Sequence, residues 1–160
     1  MSFQKLFGYK THTKCADGNF FKYYEGISDY HWERIIKTTL ELSDMKIGPP
    51  IISIRNNCIV YKEIIPLDPS TPINISSAEI TRVVEKMHQL GYAHGDLHME
   101  NIGYDNDGNI YILDHDTVYT ITDSPDEWVR LWMEKGFDWV DTFNEFIEYD
   151  YDNWRTDWLE

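Results

Sequence analysis

The side chains best suited to chemistry lie close together in the chain. They are His94-Gly95-Asp96-Leu97-His98-Met99-Glu100-Asn101 and, twelve residues beyond Ile102, Asp114 in the run Ile110-Tyr111-Ile112-Leu113-Asp114-His115-Asp116. Carboxylates of this kind can move protons, and carboxylate and amide oxygens can hold a hard cation. Two simpler metal readings fail on the residues themselves. His94 and His98 stand four apart, as zinc ligands on a helix can, but Gly95 disfavours a helix there and no H-E-x-x-H occurs. Residues 104–110 mimic part of a calcium loop, with Gly108 at the invariant glycine and Asp114 at the closing acid. The first ligand position then falls on Gly103, which has no side chain. The same residues are what a tight hairpin turn requires.

His94, Asp96, Leu97 and Asn101, then a short hairpin, then an aspartate ending an apolar strand: this pattern resembles the catalytic loop and metal-binding segment of the protein-kinase-like superfamily, H-x-D-L-x-x-x-N followed by an aspartate. The resemblance implies ATP and Mg2+ as cofactors. It implies that Asp96 accepts or orients the attacking hydroxyl, while Asn101 and Asp114 hold magnesium against the phosphates. It gives His94 the task of fixing the loop, and His98 the position where protein kinases carry a lysine near the transferred phosphate. Lys22, within the apolar run 20–24, resembles the strand lysine that contacts the inner phosphates. Glu33, early in the next helix, is the matching partner for that lysine, with Glu41 as its rival. Tyr61-Lys62-Glu63-Ile64-Ile65 resembles the strand leading into the hinge, where the backbone of Glu63 to Ile65 would meet the adenine.

The departures from the pattern are equally specific. No G-x-G-x-x-G precedes Lys22, and only Gly8 sits at a first turn; Gly95 stands where protein kinases carry arginine; the metal segment is Asp-His-Asp; no A-P-E follows. These features are closer to the aminoglycoside-, choline- and lipopolysaccharide-kinase-like branches than to regulated protein kinases. In length the chain resembles minimal kinases of the bacterial-effector type. The resemblance covers about residues 3–118.

The elements that must position these groups can be read from periodicity. Phe3–Leu6, 9–15 and 20–24 read as strands, with Asp17-Gly18 giving hairpin chemistry between the last two. Ser28-Asp29 starts a helix with Trp32, Ile35, Ile36 and Leu40 at helical spacing, ended by Gly48-Pro49-Pro50. Strands 51–54 and 58–65 lead to a loop carrying Pro66, Pro69 and Pro72, which reads as a hinge. Ser76-Ser77-Ala78-Glu79 opens a helix with Ile80, Val83, Val84, Met87 and Leu90 on one face. A hairpin of 102–104 and 110–113 follows, then a helix from Ser124 with Pro125 at its first position. Trp128 and Trp132, four apart in that helix, read as core.

The chain has 160 residues, 42% hydrophobic and 15% aromatic, enough for a packed core without disulfides. Its formal charge of −14 argues against phosphate backbones and anionic membrane surfaces as partners. Cys15 and Cys58 form no C-x-x-C pair and read as reduced thiols, and no apolar run is long enough to span a membrane. The expected compartment is the cytoplasm, of a host if the chain is an effector or viral protein. Residues 125–160 carry eleven acidic and three basic side chains, with Tyr149, Tyr151, Trp154 and Trp158 among them. Such a face reads first as a solvated surface that keeps the chain soluble; the partner it would otherwise steer in is a basic protein, substrate or activator.

The expected architecture is α+β: one kinase-like domain over 1–160, with a reduced β-rich lobe over about 1–65 and a truncated helical lobe over about 66–160. The expected function is ATP- and magnesium-dependent transfer of the γ-phosphate to a hydroxyl, with a protein serine or threonine ahead of a small molecule. A catalytically silent, pseudokinase-type binding module is the competing class.

Overall fold

The structure is a computed structural model, and it describes residues 2–68 and 75–136. The fold is α+β with antiparallel sheets. Of the acidic segment 125–160, residues 137–160, with Tyr149, Tyr151, Trp154 and Trp158, lie outside the described residues, as do Pro69 and Pro72 of the expected hinge.

Phe3–Leu6 forms a short helix, α1, instead of the expected strand. Ser2 caps it, its Oγ accepting from the Lys5 N–H, and Phe3 is buried at the start of the helix. Strands β1 (Lys10–Ala16) and β2 (Asn19–Glu25) meet at Asp17-Gly18, both at positive φ, as a two-residue hairpin turn demands. Helix α2 (Asp29–Asp44) is capped by Ser28, and β3 (Ile51–Arg55) and β4 (Cys58–Lys62) complete a sheet in the order β1-β2-β4-β3. The run 58–65 thus stops as a sheet strand at Lys62; Ile65–Pro66 forms a separate strand, β5. The buried stripe of α2 runs through His31, Ile35, Thr38, Thr39 and Leu42, whereas Leu40 is exposed. The helix is therefore rotated from the face that its apolar residues alone suggested.

Helix α3 (Ser77–Gln89) begins with a full capping box between Ser76 and Glu79, and buries Ile80, Val84 and Met87. Strand β6 (Tyr92–Ala93) pairs with β9 (Tyr119–Thr120). Between them, β7 (Ile102–Tyr104) and β8 (Ile110–Ile112) form the expected hairpin, to which β5 adds on the β7 side. Asp105 closes the turn: its Oδ1 accepts from the N–H groups of Asp107 and Asn109, its Oδ2 from the Asn109 amide and the Tyr111 hydroxyl. The Asp105 carboxylate of the calcium-loop mimic is in this way taken up by the turn.

Helix α4 (Glu127–Gly136) starts two residues later than expected. The Asp126 carbonyl accepts from Arg130 N–H, which makes Asp126 the cap residue and leaves Pro125 outside the helix. Trp128 and Trp132 are buried with Phe3, Tyr9, Tyr24, Ile35 and Tyr61 in one cluster, as their spacing predicts. A second cluster gathers Leu42, Ile47, Ile80, Met87, Ile102 and Ile112. No helix among the described residues is long and apolar enough to cross a membrane.

Candidate functional site

Alternation along β2 puts Lys22 and Tyr24 on the buried face of the sheet. A buried ammonium must be paired, and Lys22 is: its Nζ donates to Asp114 Oδ1 at 3.1 Å and to Asp116 Oδ1 at 2.9 Å. Burial would lower the pKa of this lysine, but the two carboxylates outweigh it and the pKa is raised. The two acids reach one ammonium because the chain turns sharply after β8. Asp114 takes the left-handed conformation, φ 55° and ψ 83°, which aspartate tolerates better than most residues. A single 3-10 turn, His115–Thr117, then returns Asp116 to the same spot. For Asp114, burial pushes the carboxyl up, but the Lys22 ammonium more than offsets it, and the pKa is held down at about 2.

The loop between β6 and β7 is built on His94, which is fully buried. Its Nε2 lies 2.7 Å from the Leu113 carbonyl, which can only accept, so Nε2 carries the proton. Nδ1 then accepts the Asp96 N–H at 3.2 Å. The Thr117 hydroxyl donates to the His94 carbonyl at 2.6 Å, and the Trp132 indole donates to the Gly95 carbonyl at 2.9 Å. Gly95 sits at φ +84°, where a Cβ would lie 2.7 Å from the Thr117 carbonyl oxygen. Asn101 closes the loop: its Nδ2 donates to the Asp96 carbonyl at 2.8 Å and lies 3.2 Å from His98 Nε2. Since a carbonyl fixes Nδ2 as the donor, Oδ1 is the remaining oxygen of a side chain that lines the adjacent cleft. The Asp96 carboxylate is 42% exposed and 3.8 Å from His98. Desolvation raises its pKa, with the nearby imidazoles of His94 and His98 opposing and Asp114 adding to the rise.

Beside these groups lies a cleft of about 290 Å³ between the four-stranded sheet and the second half of the chain. Lys22, Asn101 and Asp114 line it, together with Phe20, Tyr61, Ile64 and Leu113 as apolar walls, and Gln4, Thr11 and Thr13 as polar ones. From the end of β4 onward, Lys62, Ile64 and Pro66 line the cleft, and Glu63 and Ile65 do not. The Glu63 N–H is taken by the Gly18 carbonyl at 2.9 Å, and Ile65 pairs with Tyr104. Within the stretch expected at an adenine, the hairpin turn thus engages the Glu63 N–H and β7 engages Ile65.

The expected partner of Lys22 requires correction. Glu33 is exposed, and Glu41 accepts a hydrogen bond from the Tyr92 hydroxyl; neither pairs with the lysine. One step along the helix, Arg34 faces inward, donating to the carbonyls of Asp116 (2.6 Å) and Val118 (3.0 Å), with its guanidinium 4.1 Å from the Trp128 ring centroid. Burial lowers the Arg34 pKa to about 10, which still leaves it charged at neutral pH. Reading by motif also missed Tyr9 and Tyr24, whose hydroxyls donate to Asp116 at 2.8 and 2.6 Å. Aromatic residues in strands look like core, and no spacing marks them as donors.

Among the described residues no group of three or more His, Cys, Asp or Glu side chains is placed to hold a metal. A magnesium ion carried by phosphates needs only one or two protein oxygens in addition. The exposed part of Asp114 and the uncommitted Oδ1 of Asn101 fit that requirement, and the cleft beside Lys22 fits a polyanion. In comparison with known proteins, no family model matches this chain and no curated sequence matches it.

Proposed function

We propose that this chain is a two-lobed, protein-kinase-like phosphotransferase that uses ATP and Mg2+ to phosphorylate a hydroxyl, with a protein serine or threonine favoured over a small molecule. The observation that carries the reading is the convergence of Lys22, Asn101 and Asp114 on one cleft from three separate segments, with Asp96 tied to Asn101 by a hydrogen bond. The chain order supports it too: lysine strand, helix, strands, a second helix, polar loop, hairpin, acid.

In this reading Lys22 sets a fixed positive charge against the nucleotide's phosphates. Asn101 Oδ1 and the Asp114 carboxylate would hold Mg2+, which supplies neutralisation of the phosphate charge. Asp96 orients the acceptor hydroxyl and takes its proton; the burial that raises its pKa makes it the stronger base. His94 keeps the loop that carries Asp96 attached to the strand end that carries Asp114.

The test is incubation of the purified chain with labelled ATP and Mg2+, alone and with cell lysate, beside Asp96→Asn. Label transferred by the wild type and lost in the variant supports the proposal. Wild type no faster than Asp96→Asn, across protein and small-molecule acceptors, would leave a nucleotide-binding module without transfer.

A further inference from the structure

Lys22 touches two carboxylates that differ in every other respect. Asp114 is 36% exposed and lies on the cleft; Asp116 is 1% exposed. Both oxygens of Asp116 are already in use. Oδ1 accepts from Lys22 at 2.9 Å and from the Tyr24 hydroxyl at 2.6 Å, and Oδ2 accepts from the Tyr9 hydroxyl at 2.8 Å. Its carbonyl is clamped by Arg34 from helix α2. A carboxylate held by Tyr9, just before β1, and by Lys22 and Tyr24 of β2, on a backbone clamped from α2, cannot reach a cation in the cleft without giving up these bonds, whereas Asp114 can exchange its partner.

We infer that Asp116 is the positioning residue for Lys22, taking the place expected of a helix glutamate, and that Asp114 is the exchangeable partner released to the metal when nucleotide enters. The inference rests on the nucleotide reading above. It divides the Asp-His-Asp segment into two tasks. Asp116 keeps the ammonium aimed throughout, while Asp114 neutralises it only until a phosphate oxygen takes over. Helix α2 contributes no carboxylate to Lys22; through Arg34 it fixes the backbone of the segment that does. The lysine's anchor and the metal ligand therefore move as one piece.

Calorimetric titration with ATP, once with Mg2+ and once with the metal chelated, separates the two tasks. Asp116→Asn should bind Mg-ATP about tenfold more weakly or worse, the scale of one lost charge-assisted hydrogen bond, while keeping the wild-type ratio of affinities with and without Mg2+. Asp114→Asn should collapse that ratio towards one. Glu33→Gln and Glu41→Gln should bind as wild type does. Tyr24→Phe, which keeps the charge of Asp116 but frees one of its oxygens, should weaken binding about threefold with the ratio kept, and it carries the test if Asp116→Asn melts or loses its circular dichroism spectrum. Unchanged binding in both Asp116→Asn and Tyr24→Phe, a collapsed ratio in Asp116→Asn, or weakened binding in Glu33→Gln would overturn the assignment. A wild type that binds no ATP under either condition would remove the nucleotide reading itself, and this assignment with it.

Discussion

His94 donates from Nε2 to the Leu113 carbonyl at 2.7 Å, joining the loop that carries Asp96 to the strand end that carries Asp114. Its other ring nitrogen accepts the Asp96 N–H, so one fully buried imidazole sets the relative position of two acids that lie eighteen residues apart in the sequence. His94→Ala would empty that volume and strand a buried carbonyl. The expected loss is about 3 kcal/mol of stability, read by urea denaturation, together with loss of Mg-ATP binding in the variant that remains folded. A variant as stable as wild type would show that the loop is held by Thr117 and Trp132 alone.

The Lys22–Asp114 pair predicts a pH dependence with a definite sign. An unfolded aspartate titrates near about 4, whereas Asp114 is held at about 2 by the ammonium beside it. A depressed carboxyl contributes stability that is complete above the unfolded value and disappears as pH falls through the folded one. The stability difference between wild type and Asp114→Asn should accordingly be constant above about pH 4 and shrink between pH 4 and 2. Denaturant titrations at closely spaced acid pH values check this; a difference that grows on acidification would contradict the pairing.

The acids, asparagine and lysine of the cleft were legible because their types and spacing are unusual: a lysine inside an apolar strand, and Asp96 and Asn101 in a polar loop before a hairpin. The partner of Lys22 was not. On a helix, adjacent residues point about 100° apart, so whether Glu33 or Arg34 faces inward depends on a phase that the apolar residues alone do not reveal, because the buried stripe also runs through His31, Thr38 and Thr39. Asp116 stood in plain view, but its task depends on the left-handed backbone at Asp114, which residue type permits without dictating. Helix α1 was misread for a different reason. Four residues are too few for periodicity to separate a helix from a strand, and only the Ser2 cap distinguishes them. The antiparallel α+β class, in contrast, followed from the two hairpin turns and the capped helix starts.

Asp96 should be needed for transfer and nearly irrelevant to nucleotide affinity. It lines no part of the cleft wall that Lys22, Asn101 and Asp114 form, and meets that wall through its own carbonyl on Asn101. A group that acts only on the acceptor hydroxyl contributes in the transition state and not to ground-state nucleotide binding. Asp96→Asn should reduce the transfer rate by at least about a hundredfold while leaving the Kd for Mg-ATP within about twofold. Equal losses in both quantities would place Asp96 among the metal ligands.

Gly95 stands where the resemblance leads one to expect an arginine that receives a regulatory phosphate, and the backbone explains why no side chain can stand there. At φ +84° an L-residue is strained, and its Cβ would approach the Thr117 carbonyl oxygen to 2.7 Å, a backbone atom that cannot swing aside. Thr117 is itself held, because its hydroxyl donates to the His94 carbonyl, and the Gly95 carbonyl is fixed from the other side by the Trp132 indole. Gly95→Ala should thus cost about 2 kcal/mol or more, and Gly95→Arg should not fold into the same loop. Trp132→Phe keeps the aromatic packing but removes the indole donor, and should cost about 1 kcal/mol while reducing transfer more than nucleotide binding, since the loop bearing Asp96 loses a tether and the Lys22 network does not. With no arginine at position 95, transfer should also persist after exhaustive phosphatase treatment of the chain. Silencing by phosphatase, reversed by an upstream kinase, would show that a phosphate is received elsewhere in the molecule.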